Sequence, residues 1–177
     1  MTQLPDAPRD DSPFWRFSLR FYARAKVSAA CLALQDEAGV DVNLLLFLLF
    51  LAEHQREVNA ADIGEIDAAV AAWRDGVVKP LRALRRMLKT GIGEISNTVS
   101  ETFRGQIKRL ELESEHIEQS VLERFHADAL GVVSPSRMVA AAANIAAYEH
   151  YLKPFPAAAR ETIFAAFAQF GPHHPAL

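Results

Sequence analysis

The chain lacks most of the features that identify a function directly. Its single cysteine, Cys31, cannot form an internal disulfide, which favours a reducing, cytoplasmic setting, and its apolar surroundings predict a core residue. There is no Walker loop, no G-x-G-x-x-G and no G-x-S-x-G, and Gly91-Ile92-Gly93 alone is a weak signal. The start of the chain carries several acids and no apolar run, unlike a secretory signal. These absences predict no catalytic residue and no cofactor, and they make an enzyme the less favoured interpretation.

The chain also lacks a strong excess of either charge. Its 177 residues contain 19 Lys and Arg and 22 Asp and Glu, for a net charge of -3. Overall charge therefore does not indicate nucleic acid or an acidic membrane, and a partner of either kind would need a local cluster. The length suits one domain, and half of the residues are apolar, which is enough for a sizeable core. We expect a disordered lead-in at 1–12, a single helical domain at 13–170 and a flexible tail at 171–177.

One apolar segment is long enough to determine the architecture. From Asn43 to Ala52 the sequence reads N-L-L-L-F-L-L-F-L-A. A helix without a polar face must be covered on every side. This segment is too short to cross a bilayer, which takes about 20 apolar residues, so we expect no membrane insertion. It is predicted to be the central buried helix of the protein, capped by Asp41 or Asn43.

The remaining pattern is helical throughout. About seven segments show helical spacing of apolar residues, and no segment alternates long enough to predict a strand. We therefore predict an all-α fold: a single compact bundle with a central apolar helix and a long helical hairpin at 73–130. Pro80 lacks a backbone donor and is expected to kink or break the first helix of the hairpin. The second is expected to run from Thr98 or Glu101 to Ala129.

Four basic residues share one face of the first hairpin helix, at positions i, i+3, i+4 and i+7. If the hairpin closes around its glycine loop, residues 82–89 should lie beside 101–108 and away from the acidic run at 111–118. The hairpin would then gather seven basic side chains against one acid: Arg82, Arg85, Arg86, Lys89, Arg104, Lys108 and Arg109. Bidentate arginine contacts would let this patch bind a phosphate or a carboxylate surface. The alternatives are a solvated flank, or ion pairs to acids elsewhere in the fold.

Two further groups contain residue types that ligate metals. Acids and amides frame the start of the apolar helix: Gln35, Asp36, Asp41 and Asn43. No calcium-loop pattern accompanies them, and helix capping explains them more simply. Two E-x-x-H motifs fall on one predicted helix, about 15 Å apart and too far to share a metal pair. These are Glu113 with His116 and Glu123 with His126. We therefore predict no metal site.

Several segments resemble a known family. They are W-R-F-S-L-R-F-Y-A-R at 15–24, A-C-L-A-L-Q-D-E-A-G-V-D-V-N-L-L-L-F at 30–47, W-R-D-G-V-V-K-P-L-R-A-L-R-R-M-L-K at 73–89 and E-L-E-S-E at 111–115. Together they are similar to a proteobacterial family of small conserved hypothetical proteins, a domain of unknown function, with the signature W-x-F-S-L…Q-D-x-x-G-x-D-V-N-L-L-L-F. The resemblance covers 14–130. It implies a small, intracellular, helical bacterial protein, and it implies no activity and no catalytic residue.

The function that these observations favour is a non-catalytic, cytoplasmic interaction or adaptor module. Its basic helix patch would bind an acidic protein surface or a second copy of the chain. Replacing Arg82, Arg85 and Arg86 with Glu should then abolish binding while leaving stability nearly intact. The alternative is an enzyme or ligand-binding protein for a phosphate-bearing or acyl substrate, and a small anion is a possible ligand. Nucleic acid is disfavoured because the patch is short and no aromatic residues interleave with it.

Overall fold

The computed structural model describes residues 12–171 as a bundle of helices with one very small sheet. The α-helices of this part are α1 (Pro13–Tyr22), α2 (Val27–Ala38), α3 (Val42–Glu53), α4 (Ala60–Trp73), α5 (Lys79–Met87), α6 (Asn97–Leu122), α7 (Arg137–Tyr151) and α8 (Ala157–Ala168). The strands β1 (Arg56–Glu57) and β2 (Val132–Val133) pair antiparallel. A π-helix (Arg74–Val78) joins α4 to α5, and a 3-10 turn (Glu123–Phe125) follows α6. The predicted all-α class is confirmed, and about seven helices result when α4, the π-helix and α5 are taken as one continuous run.

The apolar helix α3 lies at the centre of the bundle, as predicted. Every residue from 43 to 52 is buried, and most are completely inaccessible. Helices α1, α6 and α7 pack around α3, and α7 makes the most extensive contact. Asp41 is the cap, since its carboxylate accepts the N–H groups of Asn43 at 2.9 Å and Leu44 at 3.4 Å. An all-apolar helix therefore begins at a charged residue, and this brings polar groups to one end of the core.

The last third of the chain completes this core. Helix α7 runs along α3, and α8 packs against α2. Phe170, just after α8, meets the rings of Phe17 and Phe21 edge-on, at centroid distances of 5.2 and 5.4 Å. One continuous cluster of buried apolar side chains extends from Phe14 to Phe170. The segment that follows the resemblance at 14–130 is thus part of the same hydrophobic core as the rest.

The π-helix replaces the break that was expected near Pro80. The Pro80 nitrogen cannot donate a hydrogen bond, and its ring would collide with the carbonyl group four residues earlier in a regular α-helix. A wider π turn just before α5 relieves both problems without interrupting the helix. The chain therefore continues through Gly76 and Pro80, and the hairpin is connected to the body by an unbroken helical run.

Two local predictions were wrong. Helix α6 ends at Leu122 instead of Ala129, because the chain tightens into the 3-10 turn and His126 adopts a left-handed conformation with φ 48°. The strands β1 and β2 were not expected, because two residues are too few to show an alternating pattern. Gly131 permits their approach: its φ is 67°, and a Cβ atom there would collide with the carbonyl oxygen of Glu57.

The ends of the predicted organisation lie mostly outside the described residues. Residues 1–11 of the predicted lead-in and 172–177 of the predicted tail lie outside the described residues. Ser12 is described: its hydroxyl accepts the N–H of Trp15 at 3.1 Å and caps α1. Within 12–171, no helix combines the length and the apolar character that a bilayer span requires.

Asn144 provides a test of how the core is closed. Its fully buried side chain accepts the N–H of Val58 at 2.9 Å and donates to the carbonyl groups of Leu48 at 3.0 Å and Arg56 at 2.9 Å. Asn144→Ala would leave these backbone groups unpaired in a dry site. We expect urea unfolding to show a loss of about 3 kcal/mol. The exposed Asn97→Ala control should change stability little, and equal stability of the two variants would contradict the assignment.

Candidate functional site

The arginines of α5 face acids on α6, and the predicted hairpin register is wrong. Arg82 donates to Glu111 at 3.2 Å and to Glu115 at 2.6 Å. Arg85 pairs with Glu111 through two of its nitrogens. The turn between the helices contains a bridge between Ile92 and Ile95, and α6 begins at residue 97, close to the predicted start. The offset between the two helices differs from the predicted one, and the arginines of α5 lie beside Glu111 and Glu115.

Helix α2 joins the same network through its C-terminal turn. Arg82 donates to the side-chain oxygen of Gln35 at 2.6 Å, and both terminal nitrogens of Arg86 donate to Asp36 at 3.1 Å. Burial alone would lower the pKa of Arg82. The carboxylates of Glu115 and Glu111 raise it by a larger amount, so the pKa lies above its usual value. The guanidinium group therefore stays charged and ties α2, α5 and α6 together. Gln35 and Asp36 therefore contact arginines of α5. Of the four polar residues at the start of the apolar helix, Asp41 is the one that caps α3.

The seven basic residues of the predicted patch divide into two groups. Arg82, Arg85 and Arg86 pair as described, and Arg104 pairs with Glu101, three residues earlier, at 2.6 Å. No ion pair joins the others to any acid of the described part: Lys89, Lys108 and Arg109. Four of the seven basic residues therefore form ion pairs within the protein, which was one of the alternatives to a binding patch. Binding of a partner by the patch remains a prediction, and three of its cations pair with no acid within residues 12–171.

A second polar network lies at the start of α3, and sequence reasoning found only part of it. Arg74, on the π-helix, pairs with Asp41 at 3.2 Å and with Asp67 of α4. Tyr151 donates its hydroxyl to Asp67 at 3.0 Å, and the hydroxyl of Tyr148 accepts the backbone N–H of Asp41 at 3.0 Å. Asp67 and Arg74 are seven residues apart and so share a helix face, which is the signal that could have linked them.

Glu118 is the most deeply buried acid of this network. It is 1% exposed, and one carboxyl oxygen accepts the side-chain N–H of Asn43 at 2.9 Å. Gln119 donates to the amide oxygen of the same Asn43 at 2.9 Å. Burial, and then the neighbouring Asp41 carboxylate, raise the pKa of Glu118 far above its usual range. Its second oxygen has no hydrogen-bond partner among the described residues, and because its pKa is raised so far we assign Glu118 a proton at neutral pH.

The residues considered as metal ligands and nucleophile have other contacts. The ring of His116 stacks on Trp15 at a centroid distance of 4.0 Å, and Glu123 accepts the backbone N–H of Phe14 at 3.2 Å. Cys31 is buried, and burial raises the pKa of its thiol to about 12, so it is not a thiolate at neutral pH. In residues 12–171, no three His, Cys, Asp or Glu side chains form a group that could hold a metal ion.

A groove between α7 and α8 has the size of a small-molecule site but little polar character. Its volume is about 320 Å³, and it is lined by Ala142, Ile145, Ala146, Glu149, Arg160, Glu161 and Phe164. Arg160 already pairs with Glu149 at 3.4 Å. The groove therefore offers mainly apolar contact, and no cation in its lining is left over for an anionic group.

The turn of the α5–α6 hairpin and the first half of α6 expose an unusual number of apolar side chains. We call this surface the hairpin tip, and it comprises Met87, Lys89, Ile92, Ile95, Val99, Phe103, Lys108, Arg109 and Leu110. Val99 is 76% exposed and Phe103 50%. Val99, Phe103 and Leu110 lie on one face of α6, whereas Ile107, on the adjacent face, is buried. The first face is exposed because the first turns of α6 pack on one side only.

The paired arginines make charge reversal costly, contrary to the expectation from the sequence. In Arg82→Glu, the 6% exposed Glu111 would lose a cation and gain a like charge. We expect a loss of about 3 kcal/mol in urea unfolding, the magnitude for breaking a buried ion pair. Arg86→Glu is the matched control, since its partner Asp36 is half exposed and such pairs contribute at most about 1 kcal/mol. Equal effects of the two variants would contradict the network.

The proton on Glu118 predicts a pH dependence of stability. The unfolded chain releases this proton above the ordinary pKa of about 4.3, whereas the folded chain retains it. The contribution of Glu118 to stability is therefore complete below that pH and is lost as pH rises towards the folded pKa. Glu118→Gln keeps the shape and does not titrate. The wild-type stability relative to this variant should fall between about pH 5 and pH 9.

Urea unfolding across this pH range measures that difference. Glu113→Gln, at an exposed position of the same helix, should keep the pH dependence of the wild type. Parallel pH profiles for the wild type and Glu118→Gln would show that Glu118 is ionised in the fold.

Comparison with known proteins gives a family without a known activity. No curated protein matches the chain, and no solved structure matches it. The sequence model of one family matches residues 13–122, which is more than half of the chain. This range contains α1 to α6, and with them both polar networks except Tyr148 and Tyr151. The chain belongs to the family described as protein of unknown function (DUF2390).

Proposed function

We propose that the chain is a non-catalytic protein-interaction module, and that it docks an acidic partner protein on the hairpin tip. The observation that supports this is the combination, along the hairpin turn and the first half of α6, of exposed apolar side chains with cations that pair with no acid of the described residues. A cytoplasmic location, where Cys31 stays reduced, fits this role.

The apolar side chains provide the contact area. Val99, Phe103 and Leu110 form one row on α6, and Ile92 and Ile95 extend it around the turn. Each of these five side chains is more than 40% exposed, although side chains of these types are usually buried in a folded domain. Contiguous exposed apolar side chains rimmed by polar groups are typical of protein-binding surfaces. Phe103 is the best candidate for an anchor, because large aromatic side chains dominate binding energy at such interfaces.

The charges favour an acidic partner over a second copy of the chain. Residues 87–110 contain four basic and two acidic residues, while the whole chain has a net charge of -3. One acid, Glu101, is used by Arg104, which leaves Lys89, Lys108 and Arg109 against Glu94. A symmetric tip-to-tip dimer would bring these cations together. An acidic partner surface would instead accept them, and it would speed association by electrostatic steering.

Site-specific photo-crosslinking tests the proposal in native cells. A photo-crosslinking amino acid at position 103 should yield a discrete adduct with an acidic protein, and the same amino acid at exposed Glu65 on α4 should not. Lys108→Glu with Arg109→Glu should reduce the adduct at least about tenfold, because attraction becomes repulsion. Raised salt should reduce it as well.

A variant with the same change in net charge controls for overall charge. Lys79→Glu with Lys153→Glu reverses two exposed cations outside the hairpin tip and should leave the adduct unchanged. The absence of an adduct at position 103, or the same adducts from positions 103 and 65, would contradict the proposal. An adduct of two copies of the chain would also contradict it.

A further inference from the structure

The exposed side of α1 carries cations that nothing in the described structure neutralises. Arg16 and Arg20 lie one turn apart on its outer face, and Arg24 and Lys26 follow directly after its end. From Ser12 to Leu34 the sequence contains no acid at all. None of these four cations forms an ion pair with a residue of the described part. The contrast with α5 is direct, because three of the four basic residues of that patch have carboxylates beside them.

An aromatic ring holds two of these cations side by side. The guanidinium groups of Arg20 and Arg24 lie 5.0 and 5.9 Å from the centroid of the Phe170 ring. A ring quadrupole attracts a cation but does not cancel its charge. The two positive groups are therefore oriented by a buried residue and have no carboxylate partner among residues 12–171. Their placement costs electrostatic repulsion, which an external anion would relieve.

An exposed apolar side chain lies among the cations. Leu19 is 47% exposed, although the opposite face of α1, with Phe14, Phe17 and Phe21, is deep in the core. The outer face thus combines arginine with leucine while its helix is firmly anchored. A basic helix face with a few apolar side chains is typical of a helix that lies at a membrane surface.

We propose that this surface, the α1 basic face (Arg16, Leu19, Arg20, Arg24 and Lys26), binds the surface of an anionic lipid bilayer. Clusters of four or more Lys and Arg residues on or beside a helix are typical of binding to an anionic leaflet. Arginine forms bidentate hydrogen bonds with lipid phosphates. Leu19 would enter the boundary between headgroups and acyl chains. This binding is peripheral, needs no spanning helix and is independent of the hairpin tip.

Vesicle co-sedimentation with the full-length chain tests this inference. The chain should bind phosphatidylcholine vesicles that contain phosphatidylserine, and it should bind pure phosphatidylcholine vesicles at least about tenfold more weakly. Added salt should release it, because the attraction is screened. Arg16→Glu with Arg20→Glu should abolish binding, and Leu19→Gln should weaken it without changing the salt dependence. Inorganic phosphate at the same concentration of phosphate groups should compete poorly, since a single anion cannot replace a charged surface.

Control variants separate this face from overall charge and from misfolding. Lys79→Glu with Lys153→Glu makes the same change in net charge elsewhere and should bind like the wild type. If Arg16→Glu with Arg20→Glu is unfolded by circular dichroism, Arg16→Gln with Arg20→Gln takes its place. Failure of the wild type to bind anionic vesicles at low salt would overturn the inference, and so would equal losses in the face and control variants. Crosslinking at position 103 is a separate readout, so either proposal can fail without the other.

Discussion

The whole structure depends on the need to cover α3 on every side. Residues 43–52 offer no polar face, so each neighbouring helix must supply apolar surface to a different side of it. Helices α1, α6 and α7 do so directly, and α2 and α8 pack against one another as part of the same core. Burying such a helix removes a large apolar area from water, which is the main favourable term in folding. The position of every other element, including both candidate binding surfaces, follows from this constraint.

The same helix forces charge into the interior. Its first turn needs hydrogen-bond acceptors, and Asp41 provides them; but a buried carboxylate in turn needs partners. Arg74 supplies a cation, and Glu118, whose pKa is raised by burial and by the nearby Asp41, adds no second negative charge at neutral pH. Because these partners lie on the π-helix and on α6, capping α3 also determines where the hairpin leaves the body. The π turn, which relieves the missing donor of Pro80, places Arg74 at this junction.

The features that follow from local pattern could be predicted, and those that depend on register could not. The apolar run of α3, the Asp41 cap and the left-handed Gly39 after α2 are local, and the structure has all three. The pairing of Arg82 with Glu111 depends on how many residues the turn at 88–96 consumes, and no periodicity reports that number. The expected register instead placed residues 101–108 beside the arginines and the glutamates away from them. The guanidinium group of Arg20 lies over the ring of Phe170. These residues are 150 positions apart, so the sequence alone does not reveal their contact.

The burial of each cation determines whether it has a carboxylate beside it, and therefore whether it is available to bind another molecule. Where cations approach the core, as Arg74, Arg82 and Arg85 do, the desolvation penalty is large and each has a carboxylate beside it. At the hairpin tip and on α1, cations remain in water, where ionisation costs little and no internal acid is required. A basic helix motif in a sequence therefore indicates positive charge but not its use. The conspicuous arginine repeat of α5 holds the bundle together, while the more dispersed cations of α1 and α6 face outward, beside apolar side chains that no internal surface covers.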